Sequence, residues 1–130
     1  MYIRIDPHSG EPLYKQLKER IQYLVVSGML KPGDQIDSVR GLAEKTNVNP
    51  TTVAKVFTQL QMEGYLVMHP GKGAFVTSCP PEYTSKEKSK RVCALLRPAL
   101  IEARFLGLND KDISDLLLTE LKKISGGTDE

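Results

Sequence analysis

The feature that most limits the fold of this chain is the close punctuation between Asn47 and Gly73. Asn49 followed by Pro50 marks a helix start, because Asn is a good cap and proline's fixed φ and missing N–H suit the first helical position. Gly64 closes that helix after Glu63. Between them Val53, Val56, Phe57 and Leu60 recur at helical spacing, leaving Thr51, Thr52, Lys55, Thr58 and Gln59 for the other faces. Next come two strand-like runs, residues 65–69 and 74–77, separated by the strong turn signal Pro70-Gly71-Lys72-Gly73. Upstream, Asp37 or Ser38 can cap a second short helix whose Val39, Leu42 and Ala43 form a small apolar face. That helix ends near Thr46-Asn47, since Asn tolerates the left-handed conformation.

Short helix, tight turn, capped helix and glycine-tipped hairpin, in that order, predict a winged helix-turn-helix. A helix entered by Asn49-Pro50-Thr51-Thr52 has almost no bulk on its first turn and can enter a DNA major groove end-on. Residues 12–27 precede it as an amphipathic helix, with Leu13, Leu17, Ile21, Leu24 and Val25 along one stripe. Lys31-Pro32-Gly33-Asp34 fits a type II turn. Two strands alone are marginal, but packed against helices they form a wing.

Cys79-Pro80-Pro81 breaks this order and marks a boundary between residues 1–78, the DNA-binding domain, and residues 79–130. Beyond it, residues 86–106 read as a helix carrying Val92, Leu95, Leu96, Ala99, Leu100 and Ala103, with a kink or break expected at Pro98. Asn109 should cap a last helix over residues 110–125, followed by Gly126-Gly127. Its Ile113, Leu116, Leu117, Leu121 and Ile124 recur at helical spacing. These two helices hold more apolar surface than they can hide alone, which predicts a homodimer. The expected fold is mainly α with a small β-hairpin: a winged helix-turn-helix domain plus a short helical dimerisation segment.

At 130 residues and 40% hydrophobic content, the chain can bury one modest core and a small annex. The formal charge is only +2, so a basic footprint must be local. Within residues 45–73, Lys45, Lys55 and Lys72 face only Glu63. No window approaches the roughly 18 apolar residues of a membrane span, which predicts a cytoplasmic protein. Cys79 and Cys93 lack metal or redox spacing and read as reduced, and His8 and His69 have no further ligands nearby, so no metal is expected. The Gly71-Lys72-Gly73 trio lacks the spacing and strand-to-helix context of a nucleotide loop. No serine has a recognisable histidine and carboxylate set, and Asp110, Asp112 and Asp115 read as residues favoured by a helix dipole. Neither enzyme activity nor a cofactor is expected.

Over residues 10–78 the chain resembles the GntR family of bacterial transcription regulators. The resemblance rests on Pro12-Leu13-Tyr14 with Gln16 and Leu17, the 28–34 turn, Ser38-Val39-Arg40 with Leu42-Ala43, Val48-Asn49-Pro50-Thr51-Thr52-Val53, Leu60 with Glu63-Gly64, and Gly71-Lys72-Gly73 before Phe75-Val76. A tail of about 50 residues resembles the YtrA-type branch, whose short helical C-terminal part chiefly makes the dimer. The resemblance implies DNA contacts from Arg40, Thr51, Thr52 and the wing around Gly71. Lys55 and Lys72 join them on chemical grounds, as phosphate partners. Asn49 and Pro50 act first as cap and first-turn residues and complete the candidate surface. Asp37, where the family commonly has Pro, and Gly41, where a stronger helix former is usual, depart from the pattern.

The expected function is therefore a dimeric, site-specific repressor on an inverted-repeat operator in double-stranded DNA. The alternative is a ligand-gated sensor whose C-terminal helices bind a small-molecule effector. Two short helices offer little room for the roughly 300 Å³ a pocket commonly needs, unless two chains combine.

Overall fold

The structure, a computed structural model, describes residues 3–78 and 83–125. Cys79, the Pro80-Pro81 pair and Gly126-Gly127 lie outside the described residues. The chain divides into two units, Met1–Cys79 and Pro80–Glu130.

In the first unit, α1 (Leu13–Val26) buries Leu17, Ile21 and Leu24 on one stripe, and Pro12 supplies the first turn's carbonyl to the Gln16 amide. The Gln16 side chain organises the preceding loop. Its amide nitrogen lies 2.8 Å from the Asp6 carbonyl oxygen and 2.9 Å from both Ser9 Oγ and the Glu11 carbonyl oxygen, and its own oxygen accepts from the Asp6 amide at 2.9 Å. At the next turn, Gly33 takes φ +94° and the Asp34 amide donates to the Lys31 carbonyl.

The second helix, α2 (Val39–Thr46), resolves the choice of cap: Ser38 Oγ accepts from the Gly41 amide at 3.0 Å. A Cβ on Gly41 would lie 3.1 Å from that hydroxyl, so glycine gives the cap room. The helix ends on Asn47 at φ +57°, in the left-handed region. Then α3 (Pro50–Met62) buries Val53, Val56, Phe57 and Leu60, and the chain leaves it through Gly64 at φ +91°. Helices α1 and α2 both pack on α3, and α3 packs on the first strand.

The wing pairs β1 (Leu66–His69) antiparallel with β2 (Gly73–Val76), Leu66 opposite Val76 and His69 opposite Gly73. These are the two expected strands, and a further segment without strand structure of its own lies beside them. The 33–36 segment runs along the other edge of β2. There the Gly33 amide donates to the Val76 carbonyl, the Val76 amide to the Asp34 carbonyl, and the Ile36 amide to the Ala74 carbonyl, at 2.8 to 2.9 Å. Gln35 bridges Phe75. One buried apolar residue, Ile36, holds this segment to the core, which is too little to create a periodic signal in sequence.

In the second unit, α4 (Ser85–Phe105) begins with a reciprocal cap, in which Thr84 Oγ1 accepts from the Glu87 amide and Glu87 accepts from the Thr84 amide. That hydrogen bond from the Thr84 backbone holds the Glu87 carboxyl below its ordinary value. The helix runs on through Pro98, and the break expected there does not occur. Pro98 deprives only the Ala94 carbonyl of its donor, and this stretch is exposed, so water can take the donor's place. Residues Asp110–Ser125 form α5, started by Asn109, whose Oδ1 accepts from the Asp112 amide at 2.9 Å. Arg104 pairs with Asp110 across the connection. Neither α4 nor α5 buries a single residue.

Candidate nucleic-acid interface

The first turn of α3 is free of its own fold. Thr51 is exposed and Thr52 half-buried, while one turn further the inward face is sealed at Val53 and Val56. Asn49 Oδ1 accepts from the Thr51 amide at 2.8 Å, so this carboxamide oxygen is occupied by capping, and Pro50 occupies the first helical position. The remaining N–H groups of the turn point outward along the axis with the positive end of the helix dipole, a setting that favours phosphate.

Arg40, the second residue of α2, is exposed and lines an open cleft together with Glu44, Asn47, Asn49 and Pro50. The fold thus brings Arg40 beside the start of α3. It forms no ion pair among the described residues, leaving the guanidinium free to fork onto a phosphate or a guanine edge. Lys45, counted in the basic footprint, lies 2.8 Å from Asp37 Oδ2. Each neutralises the other, so the acidic departure at Asp37 presents little net charge to an incoming phosphate.

Lys55 is exposed, with its ammonium 5.6 Å from the centre of the Tyr14 ring. The first turn of α1 therefore flanks the outer face of α3 and steadies the lysine through a cation–π contact. Glu63, the one acid of this stretch between the two lysines, sits at the other end of α3, about 18 Å from Thr51 by helical rise. Its carboxylate meets Lys18 Nζ at 2.6 Å and lies 3.4 Å from the Gln22 side-chain nitrogen. The hydrogen bond to Glu63 raises the Lys18 pKa.

At the wing tip Gly71 takes φ +77°, and both it and Lys72 are exposed. The Lys72 amide donates to the His69 carbonyl at 2.9 Å, and Gln35 Nε2 donates to the Lys72 carbonyl at 2.5 Å. The rings of His69 and Phe75 lie 4.9 Å apart on the wing's flank. Sequence reasoning missed Tyr14, Gln16 and Gln35. Tyr14 and Gln16 stand in a motif without a visible task, and Gln35 carries no local signal. Among the described residues no three His, Cys, Asp or Glu side chains gather as a metal site, and no helix is long and apolar enough to cross a membrane.

Comparison with known proteins gives this geometry a family. The model of bacterial regulatory proteins of the gntR family matches residues 13–76. The structure of YtrA from Sulfolobus acidocaldarius, a GntR-family transcription factor, is 33% identical with a TM-score of 0.62, covering 78% of this chain and 99% of that one. The chain belongs to the GntR family. Over most of its length this GntR-family chain is also similar to the HTH-type transcriptional repressor YtrA of Bacillus subtilis (strain 168), at 29% identity over 96% of both. A transcriptional antiterminator from Listeria monocytogenes EGD-e is 29% identical with a TM-score of 0.83, covering 96% of this chain and 92% of that one. The AraR DNA-binding domain in complex with operator ORX1 matches 58% of this chain and all of that one, at 26% identity and a TM-score of 0.52. The winged helix-turn-helix of this GntR chain is a transcription regulator's DNA-binding fold.

Proposed function

We propose that this GntR-family regulator is a cytoplasmic homodimeric repressor that binds an inverted-repeat operator in double-stranded DNA. The observation that carries this reading is the unobstructed first turn of α3, with Thr51 and Thr52 at its end and Arg40 beside it. In this reading the threonine hydroxyls bond phosphates and their methyls meet thymine methyls. Arg40 and Lys55 anchor the helix. Gly71 lets the wing backbone approach the duplex, and Lys72 adds charge at its tip. Asn49 and Pro50 hold the turn in shape.

Dimerisation falls to residues 86–125. Leu95 is 78% exposed and Phe105 87%, and Leu116, Leu117, Leu118 and Leu121 are exposed along α5, an apolar surface large for a monomer. Two-fold symmetry then requires half-sites in opposite orientation. The YtrA relative is a repressor and the AraR domain is seen on operator DNA, which supports both the partner and the sign of regulation.

Fluorescence anisotropy with Arg40→Ala tests the reading on a matched and a scrambled operator. Arg40→Ala should lose about 1–3 kcal/mol on the matched site and relax sequence preference if Arg40 makes a two-pronged base contact. Equal losses on both duplexes reduce Arg40 to a phosphate anchor, and no loss on either removes it from the interface.

A further inference from the structure

We propose that Gln35 is the positioning residue of the wing, fixing the backbone of Lys72 so that its side chain is carried within reach of the DNA phosphates. The inference rests on the reading that the wing touches DNA. A hairpin tip on a short ribbon is ordinarily among the loosest parts of a domain. Here both backbone polar groups of the tip lysine are tied: its amide to the His69 carbonyl at 2.9 Å and its carbonyl to Gln35 Nε2 at 2.5 Å. Only the lysine side chain keeps its freedom.

The clamp is braced from below. Gln35 sits in the strand-like 33–36 segment, held to β2 on either side by the Asp34 and Ile36 backbone bonds, and Ile36 is buried in the core. Gln35 itself is exposed, so packing does not account for its side-chain placement. Gly73 makes room for the reach. It takes φ +117°, and a Cβ there would lie 2.9 Å from Gln35 Nε2. Conformation requires glycine here, and the absence of a Cβ also leaves the Gln35 side chain undisturbed where it lies across the backbone. The chemistry also selects the residue, since the Lys72 carbonyl needs a donor. A carboxylate at this position would oppose the carbonyl lone pairs and add negative charge beside the phosphates. A pre-placed lysine loses less freedom on binding than one on a mobile tip.

The test uses the full chain and a duplex recovered from a random-sequence pool by the unmodified protein, with affinity followed across a salt series. Lys72→Ala should lower the slope of log K against log salt by about 0.9 for each phosphate that the lysine neutralises. Gln35→Ala should weaken binding about two- to ten-fold, the range for removal of one hydrogen bond, at a temperature where circular dichroism shows the variant fully folded. Gln35→Glu should weaken it at least as much. In the Lys72→Ala background Gln35→Ala should cost nothing further, a coupling that a merely structural role would not produce. If Lys72→Ala weakens binding while Gln35→Ala does not, or if the two losses simply add, the positioning role is overturned and the wing's approach to DNA stands. If Lys72→Ala changes neither slope nor affinity, the wing does not touch DNA and the inference fails with it.

Discussion

Helices α3 and α4 teach different lessons from similar material. The 13-residue α3 seals four side chains against α1, α2 and β1, whereas the 21-residue α4 seals none although it carries Leu95, Leu96, Leu100 and Ile101. Both are amphipathic by spacing. An apolar stripe defines which face will be buried, but only a partner surface buries it. In the first unit that partner lies within the same chain. In the second, a second copy of the chain is the proposed partner.

The largest way to break this contrast is to remove the second unit's helices. Deleting residues 86–130 should give a monomer whose DNA affinity falls by about 10²- to 10⁴-fold, the avidity expected from linking two sites. Analytical ultracentrifugation showing an intact dimer would end the proposed division of labour. Next in size is a matched pair of truncations. Leu60→Ala, at a side chain with 0% exposure, should cost about 2–5 kcal/mol in urea unfolding of the first unit. Leu95→Ala should instead move the dimer equilibrium and leave that unfolding transition within about 0.5 kcal/mol of the parent. Equal effects on that transition would mean that the two regions are not distinct.

Smaller still is the cap of α4. Thr84→Ala should cost about 1 kcal/mol of helix stability, visible as lower helicity by circular dichroism. The smallest effects concern pH and sharpen the contrast by sign. Glu87 is held below its ordinary 4.5 by the Thr84 backbone, so its contribution is present above pH 4.5 and fades as pH falls through the lowered value. Lys18 is raised above its ordinary 10.5 by Glu63, so its contribution is complete below pH 10.5 and fades as pH rises through the raised value. Acid should therefore loosen the start of α4, and alkali the packing of α1 on α3. Hydrogen exchange across both segments checks the assignment, and Glu87→Gln and Lys18→Met should each abolish one limb alone.

Much of the candidate site was legible because its signals are short-range. Asn49 caps and Pro50 opens α3 as expected, Gly64 follows its last turn, and Asn47 adopts the left-handed conformation at the end of α2. Of the kink or break expected at Pro98, the break does not occur, because one missing donor in an exposed stretch is met by solvent. The bridging of the 33–36 segment to β2 stayed hidden because these residues present one buried side chain between polar neighbours, and pairing of that kind is set by what lies alongside.

By itself, then, the amino-acid order determined the element boundaries, the caps and the blunt polar start of α3, since each depends on groups within one helical turn of one another. Only the tertiary structure decided the partnerships across distance: Lys55 over Tyr14, Lys18 with Glu63, and Gln35 on the Lys72 carbonyl, 37 positions along the chain. A hydrogen bond or ion pair falls off within a few ångströms and leaves no periodic trace in sequence. Such pairs exist only once the core has brought their segments together.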